Sequence, residues 1–185
     1  YLPKGQAAEL PETDTGALVS LADKFDPICG CFDVGLQPKG RGDPLALRRA
    51  ALGILRILEN KGWSLNLPEA INFALKGLLD KIKAKDKDAN IENLNENILD
   101  FFNGRLANLL KGAGLPAKTV DAVLSVRFID PIEAKHRAEA VSTFSGQEDF
   151  EPFAVAFKRV ANIIATAEDD LNKVEIDSSL FEYEQ

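Results

Sequence analysis

The chain has 185 residues, a net charge of −7, 45% apolar and 28% charged side chains, which is the profile of a soluble globular protein with length for one domain or two small ones. No apolar run approaches the roughly 18 residues that span a bilayer, so a membrane role is excluded; no basic start leads into an apolar stretch, so secretion is not indicated, and the expected location is cytoplasmic. The chain opens on Tyr1 and contains no Met, which predicts a piece excised from a longer protein.

Period-two alternation is absent over any long stretch, while apolar residues recur at three- and four-residue intervals, so the expected fold is all-α, an irregular bundle of about seven helices. Glu12 to about Phe32 reads as the first helix, with Leu18, Leu21, Ala22, Phe25 and Ile28 on its apolar face and Pro27 expected to kink or end it early. Residues 35–42 hold three glycines and a proline and read as a loop. Asp43-Pro44 supplies a cap followed by proline at the first helical position, predicting a helix to about Asn60 with Leu47, Ala51, Ile54 and Leu58 inward and Lys61-Gly62 as its stop. A third helix follows Pro68 with Ile71, Leu75, Leu78, Leu79 and Ile82. Residues 83–90 form a polar break and the expected internal boundary. Glu92 to Lys111 carries Ile98, Phe101, Phe102, Leu106, Leu109 and Leu110, and ends at Gly112 and Gly114. Pro116 opens a short helix through Val126, Asp130-Pro131 starts another to about Phe144, and Glu148 to about Ala167 gives the last, with Phe153, Phe157, Val160, Ile163 and Ile164.

The negative charge is unevenly distributed. From Glu168 to Gln185 seven acids face Lys173 alone, whereas from Gln37 to Lys61 six bases face two acids. The acidic excess is thus mostly a tail, and the basic stretch admits a nucleic-acid partner. Arg49 and Arg56, seven apart, share a helix face beside Arg48, and Lys39 and Arg41 lie in the preceding loop. Guanidiniums on a stiff scaffold bind phosphodiesters in bidentate fashion without reading sequence. Lys39, Arg41, Arg48 and Arg49 are therefore the candidate nucleic-acid-binding residues. The competing reading has these arginines turned inward against carboxylates such as Asp23 or Asp26.

Other chemistry is poorly supplied. Cys29 and Cys31 are too close in sequence for an unstrained disulfide, and one thiol pair cannot complete a zinc site, so both read as reduced, small apolar side chains. His136 is the only histidine, expected on a solvated helix face. Gly35 and Gly40 have the spacing of a phosphate-binding loop, but Arg41-Gly42 stands where Lys-Ser/Thr is required and no strand precedes. Asp23 and Asp26 share a helix face and could bind Mg²⁺, but a solvated face is the simpler reading. No catalytic residue and no metal ligand is assigned.

Beyond residue types, the runs Ala22-Asp23-Lys24-Phe25-Asp26, Phe32-Asp33-Val34-Gly35, Pro38-Lys39-Gly40 and Asp43-Pro44 through Arg48-Arg49-Ala50-Ala51-Leu52-Gly53-Ile54-Leu55-Arg56-Ile57 closely resemble the β subunit of bacterial heterotetrameric glycyl-tRNA synthetase. Leu99 to Arg105 and Lys158 to Ile163 resemble later motifs of the same family. Cys29 and Cys31 depart from apolar residues or glycine there, and Leu45 from a frequent phenylalanine. The resemblance implies that residues 1–66 are the end of a degenerate HD-type helical domain with a basic loop, 67–170 a helical region and 171–185 an acidic tail or linker. It implies a part in tRNA binding and subunit scaffolding for ATP-dependent attachment of glycine to tRNA(Gly), with the α subunit and tRNA(Gly) as partners. ATP and Mg²⁺ would serve the complex, with no cofactor held in this piece and no ligase centre in it. The alternatives are a metal-dependent phosphohydrolase of the HD type, with Asp23 as last ligand, and a purely structural helical module.

Overall fold

A computed structural model describes residues 2–3, 8–38, 40, 42–82 and 91–166. Among these residues there are seven α-helices and no strand: α1 Asp14–Asp33, α2 Leu47–Lys61, α3 Leu67–Ile82, α4 Ile91–Gly112, α5 Ala117–Leu124, α6 Pro131–Ser145 and α7 Phe150–Thr166. The all-helical expectation holds. The break expected at 83–90, the acidic tail, and the loop residues Lys39 and Arg41 lie outside the described residues. The chain divides into two compact units, 1–142 and 143–185.

In the first unit α1 packs against α2, α3 and α4, and α4 also packs against α2, α3 and α5. Thr13 starts α1, its Oγ1 accepting from the Gly16 N–H at 3.1 Å. The helix continues through Pro27 to Asp33 rather than ending early. Pro27 lacks the N–H that would pair with the Asp23 carbonyl, but both residues are exposed, so water can take that bond. Of the stripe expected, Leu21, Phe25 and Ile28 are buried, but its other two members are not. Leu18 is 59% exposed and Ala22 is exposed, while Ser20 and Lys24 are inside.

Two polar residues can occupy the stripe because they satisfy each other and a backbone carbonyl. Lys24 Nζ donates to Ser20 Oγ at 2.8 Å and to the Leu2 carbonyl at 3.2 Å, and Ser20 Oγ donates to the same carbonyl. The ammonium thus fastens residues 2–3 over α1, and burial, only partly offset by Asp23, lowers the lysine pKa. Gly53 of α2 makes room for this arrangement. A Cβ there would lie 2.9 Å from Lys24 Cε and 3.3 Å from Pro3 Cγ.

The remaining elements follow their local signals more closely. α2 buries Leu47, Ala51, Ile54 and Leu58 as expected and stops at Gly62, which takes φ 64°. Asn66 Oδ1 accepts from the Glu69 N–H at 3.2 Å and caps α3, which buries Leu67, Ile71 and Leu75. α4 buries Ile98, Phe102, Leu106 and Leu110, with Phe101 and Leu109 half-buried. Its buried Asn95 bridges to α3 through the Pro68 carbonyl at 2.9 Å and Asn72 Oδ1 at 2.7 Å. Gly114 at φ 94° turns the chain after α4, and Leu115 N–H returns to the Leu110 carbonyl at 3.2 Å. Asp130 Oδ1 accepts from the Ile132 N–H at 2.7 Å at the start of α6, beside Pro131.

In the second unit, Phe144 meets Phe150 and Phe153 edge-on, each at 5.4 Å between ring centroids. Beyond that cluster the stripe expected to be inward on α7 is exposed: Phe157 by 65%, Ile163 by 68% and Val160 by 53%. Helical periodicity identifies the helix and its apolar face, but not whether that face has a partner.

Candidate nucleic-acid interface

The basic stretch becomes a defined structure where α1 hands over to α2. Phe32, in the last turn of α1, is buried and packs on Phe101 of α4 at 5.2 Å between centroids. The chain then turns at Gly35, φ 74°, with the Leu36 N–H donating to the Cys31 carbonyl at 2.8 Å. It turns again at Gly40, φ 60°. Both glycines stand in the left-handed region, which side chains with a Cβ avoid.

Arg48 holds the loop in shape. Its Nη2 donates to the Gly40 carbonyl at 2.6 Å and the Pro38 carbonyl at 3.3 Å, and its Nη1 donates to the Gly42 carbonyl. A planar guanidinium with donors on two sides can gather several carbonyl oxygens at once, which a lysine ammonium on a flexible stem does less well. These acceptors are neutral, so the positive charge is not cancelled.

Asp43 does cap α2, but from further away than expected. The helix begins at Leu47, not at Pro44, because Pro44-Leu45 form a turn closed by the Ala46 N–H to the Asp43 carbonyl at 3.1 Å. Ala46 takes φ 58°, unusual for a residue with a Cβ. This turn brings the Asp43 carboxylate onto the Arg48 N–H at 3.1 Å and the Arg49 N–H at 3.3 Å. Arg49 closes the arrangement, its Nε reaching Asp43 Oδ2 at 3.3 Å and its Nη2 the Asp43 carbonyl at 3.1 Å. Burial acts to raise the Asp43 pKa, but the Arg48 and Arg49 N–H groups and the Arg49 side chain together bring it below the usual carboxylate value. A depressed carboxylate pKa stabilises the fold above the unfolded value of about 3.9 and loses that contribution as pH falls through the folded one. The cap therefore stands at neutral pH.

Of the four candidate residues, the structure brings Arg48 and Arg49 together around Asp43, while Lys39 and Arg41 lie outside the described residues. Neither arginine pairs with Asp23 or Asp26, both of which are exposed. Arg48 is committed to the loop backbone, whereas the Arg49 side chain is 54% exposed. Arg56 donates to the Ala8 carbonyl at 3.2 Å.

Sequence reasoning passed over Arg105 of α4. Its guanidinium carbon lies 5.5 Å from the Phe101 ring centroid, and its Nε is buried with no acceptor. Burial and then the charge of Arg48 lower its pKa, opposed by Asp43. The available signal was the i, i+4 spacing of Phe101 and Arg105, which puts an arginine over an aromatic face on a helix.

The other candidate chemistry stays dispersed. Cys29 is buried, and burial, aided by Asp26, pushes its thiol up to about 12, so it is no nucleophile at neutral pH. His136 is exposed. Among the described residues no three His, Cys, Asp or Glu side chains converge as a metal site, and no helix is long and apolar enough to cross a membrane.

The geometry thus defines an all-helical module that presents arginines around a glycine-rich loop. Residues 1–125 match the family model described as glycyl-tRNA synthetase beta subunit. The chain is 46% identical over 182 residues to the glycine–tRNA ligase beta subunit of Geotalea daltonii, covering 98% of this chain and 25% of that protein. It is 48% identical over 164 residues to the corresponding subunit of Geotalea uraniireducens, covering 89% and 23%, and 44% identical over 182 residues to that of Syntrophotalea carbinolica, covering 98% and 25%. The chain belongs to the glycyl-tRNA synthetase beta subunit family. It spans about a quarter of the length of these relatives.

Proposed function

We propose that this chain is the part of a glycine–tRNA ligase β subunit that supplies a helical scaffold and a basic contact for the tRNA backbone. Lys39, Arg41, Arg48 and Arg49 are its contact residues. Glycine activation with ATP and Mg²⁺ belongs to a separate α subunit, and the complex works in the cytoplasm on tRNA(Gly). The observation that carries the reading is the exposed Arg49 guanidinium beside a loop that Arg48 organises. Family membership supports the reaction to which that contact is assigned.

Two experiments test it. In the intact ligase, Arg49→Ala and Arg41→Ala are each expected to weaken tRNA binding by about 1–3 kcal/mol where the phosphate contact is charge-assisted, and by less where it is solvated. The loss should be similar for any tRNA sequence, and the fall of affinity with salt should become shallower. Unaltered tRNA affinity in single alanine variants of all four residues would remove the basic-loop reading. Separately, the purified chain is expected to show no glycine-dependent pyrophosphate exchange above a protein-free control. Exchange above that control would place activation chemistry here and refute the division of labour.

A further inference from the structure

The side chain of Arg105 stands in an unusual position. Its Nε is shut away from solvent without an acceptor, and among the described residues its guanidinium takes part in no hydrogen bond or salt bridge. What it does have is the face of Phe101, 5.5 Å away, and Phe101 is itself wedged against Phe32 where α1 enters the basic loop. A guanidinium laid on an aromatic ring is held in one plane at low entropic cost, with its outer edge left to donate.

The surroundings are positive. The charges of Arg48 and Asp43 both act on the Arg105 guanidinium, and Arg49 lies on Asp43 as well. Arg49 thus pairs with Asp43, Arg48 caps it through its backbone N–H, and Arg105 of α4 lies within electrostatic reach of both Arg48 and Asp43. That carboxylate already accepts from two backbone N–H groups and from Arg49. Arg48 makes three hydrogen bonds to carbonyl oxygens, which are neutral and leave its charge uncompensated. Two uncompensated cations, one of them on a half-buried side chain with no other polar partner among the described residues, call for an anion with several oxygen acceptors.

We propose that Arg105, stacked on Phe101 and seated behind the loop that Arg48 organises, is a further phosphate-binding residue that takes a backbone phosphodiester of RNA. The contact rests on the reading of the loop as a tRNA interface and extends it to α4, far along the sequence from the loop. A nucleic-acid backbone fits better than a compact anion held at the α2 terminus, because Asp43 already occupies the N–H groups of Arg48 and Arg49 there. The phosphate is met from the side by guanidinium edges. The contact positions RNA and reads no base.

The test uses the intact ligase containing this chain, with tRNA(Gly) and inorganic phosphate as probes and the Arg105→Gln, Arg105→Lys and Arg49→Ala variants. Arg105→Gln is expected to weaken tRNA binding about tenfold or more and to reduce the slope of log affinity against log salt by about one. Its melting temperature in the absence of RNA should fall little, because Arg105 donates to no described partner in the fold and only its stacking on Phe101 is lost. Arg105→Lys retains the charge and should keep the salt slope while recovering only part of the affinity; it is also the variant to read if the glutamine protein folds poorly. Wild-type affinity and salt slope in Arg105→Gln, with weakened binding in Arg49→Ala, would overturn the role of Arg105 and leave the loop interface standing. Unchanged binding in both would overturn the two together. If millimolar inorganic phosphate raises the melting temperature of the wild-type protein but not of Arg105→Gln, while tRNA affinity is equal in both, the site takes free phosphate and the RNA contact is overturned.

Discussion

Replacing Phe102 with alanine is expected to lower the stability of the first unit by about 3–5 kcal/mol, a large share of the roughly 5–15 kcal/mol that holds a typical domain folded. Phe102 is fully buried, 6.0 Å from the Phe25 ring of α1 and 6.3 Å from Phe101 of α4, so it joins the two longest helices. Truncation removes the transfer free energy of the ring and leaves a cavity that α1 and α4 cannot both move to fill. Urea unfolding should show a lower midpoint with the slope little changed. Phe157→Ala supplies the comparison. Its ring is 65% exposed on α7, so its loss should change stability by no more than about 0.5 kcal/mol. A loss under about 1 kcal/mol for Phe102→Ala would mean that the junction of α1 and α4 is not packed as described.

The contrast between those two phenylalanines marks what the sequence conveys and what it withholds. Both sit on apolar helical stripes, and both helices form. Spacing reports which residues share a face, but burial depends on whether another element covers that face, and nothing local encodes it. The same limit explains α1. Leu18 and Ala22 carry the composition of an inward stripe, yet Ser20 and Lys24 are inside because the Leu2 carbonyl, eighteen residues or more away in sequence, accepts from both. Stop signals that act through the local backbone were legible: Gly62 and Gly114 adopt the positive φ that ends a helix. Asp43 was legible as a cap but not in its register, since the Pro44-Leu45 turn and the left-handed Ala46 move the helix start to Leu47. At the site, composition drew attention to the loop and its arginines. It gave no means of telling that Arg48 is spent on carbonyls while Arg49 remains exposed, nor that Arg105 of α4 lies on the Phe101 ring that packs on Phe32. Those distinctions arise from tertiary contacts.

Arg48 is accordingly expected to give a large effect on RNA binding, at the upper end of the range for the loop region. Its guanidinium gathers the carbonyls of Pro38, Gly40 and Gly42, so it ties these described loop residues to the start of α2. Arg48→Ala removes one charge and releases three carbonyls, so Pro38, Gly40 and Gly42 lose their tie to α2. Stability should fall by only about 1–2 kcal/mol, the low end for charged hydrogen bonds, because two of these bonds are exposed to solvent. Affinity for tRNA should fall about a hundredfold, close to 2.7 kcal/mol, since contacts made by an ordered loop must then bear its ordering entropy as well. Arg48→Lys discriminates between charge and shape. The ammonium preserves the charge but cannot reproduce a planar fork over three carbonyls, so affinity should recover only partly. Amide exchange at Leu36, whose N–H donates to the Cys31 carbonyl, should accelerate in both variants if the loop opens, while the helical amides of α4 stay protected. If Arg48→Lys instead restores both wild-type affinity and amide protection, charge alone accounts for the role of Arg48, and the carbonyl clasp does not organise the interface.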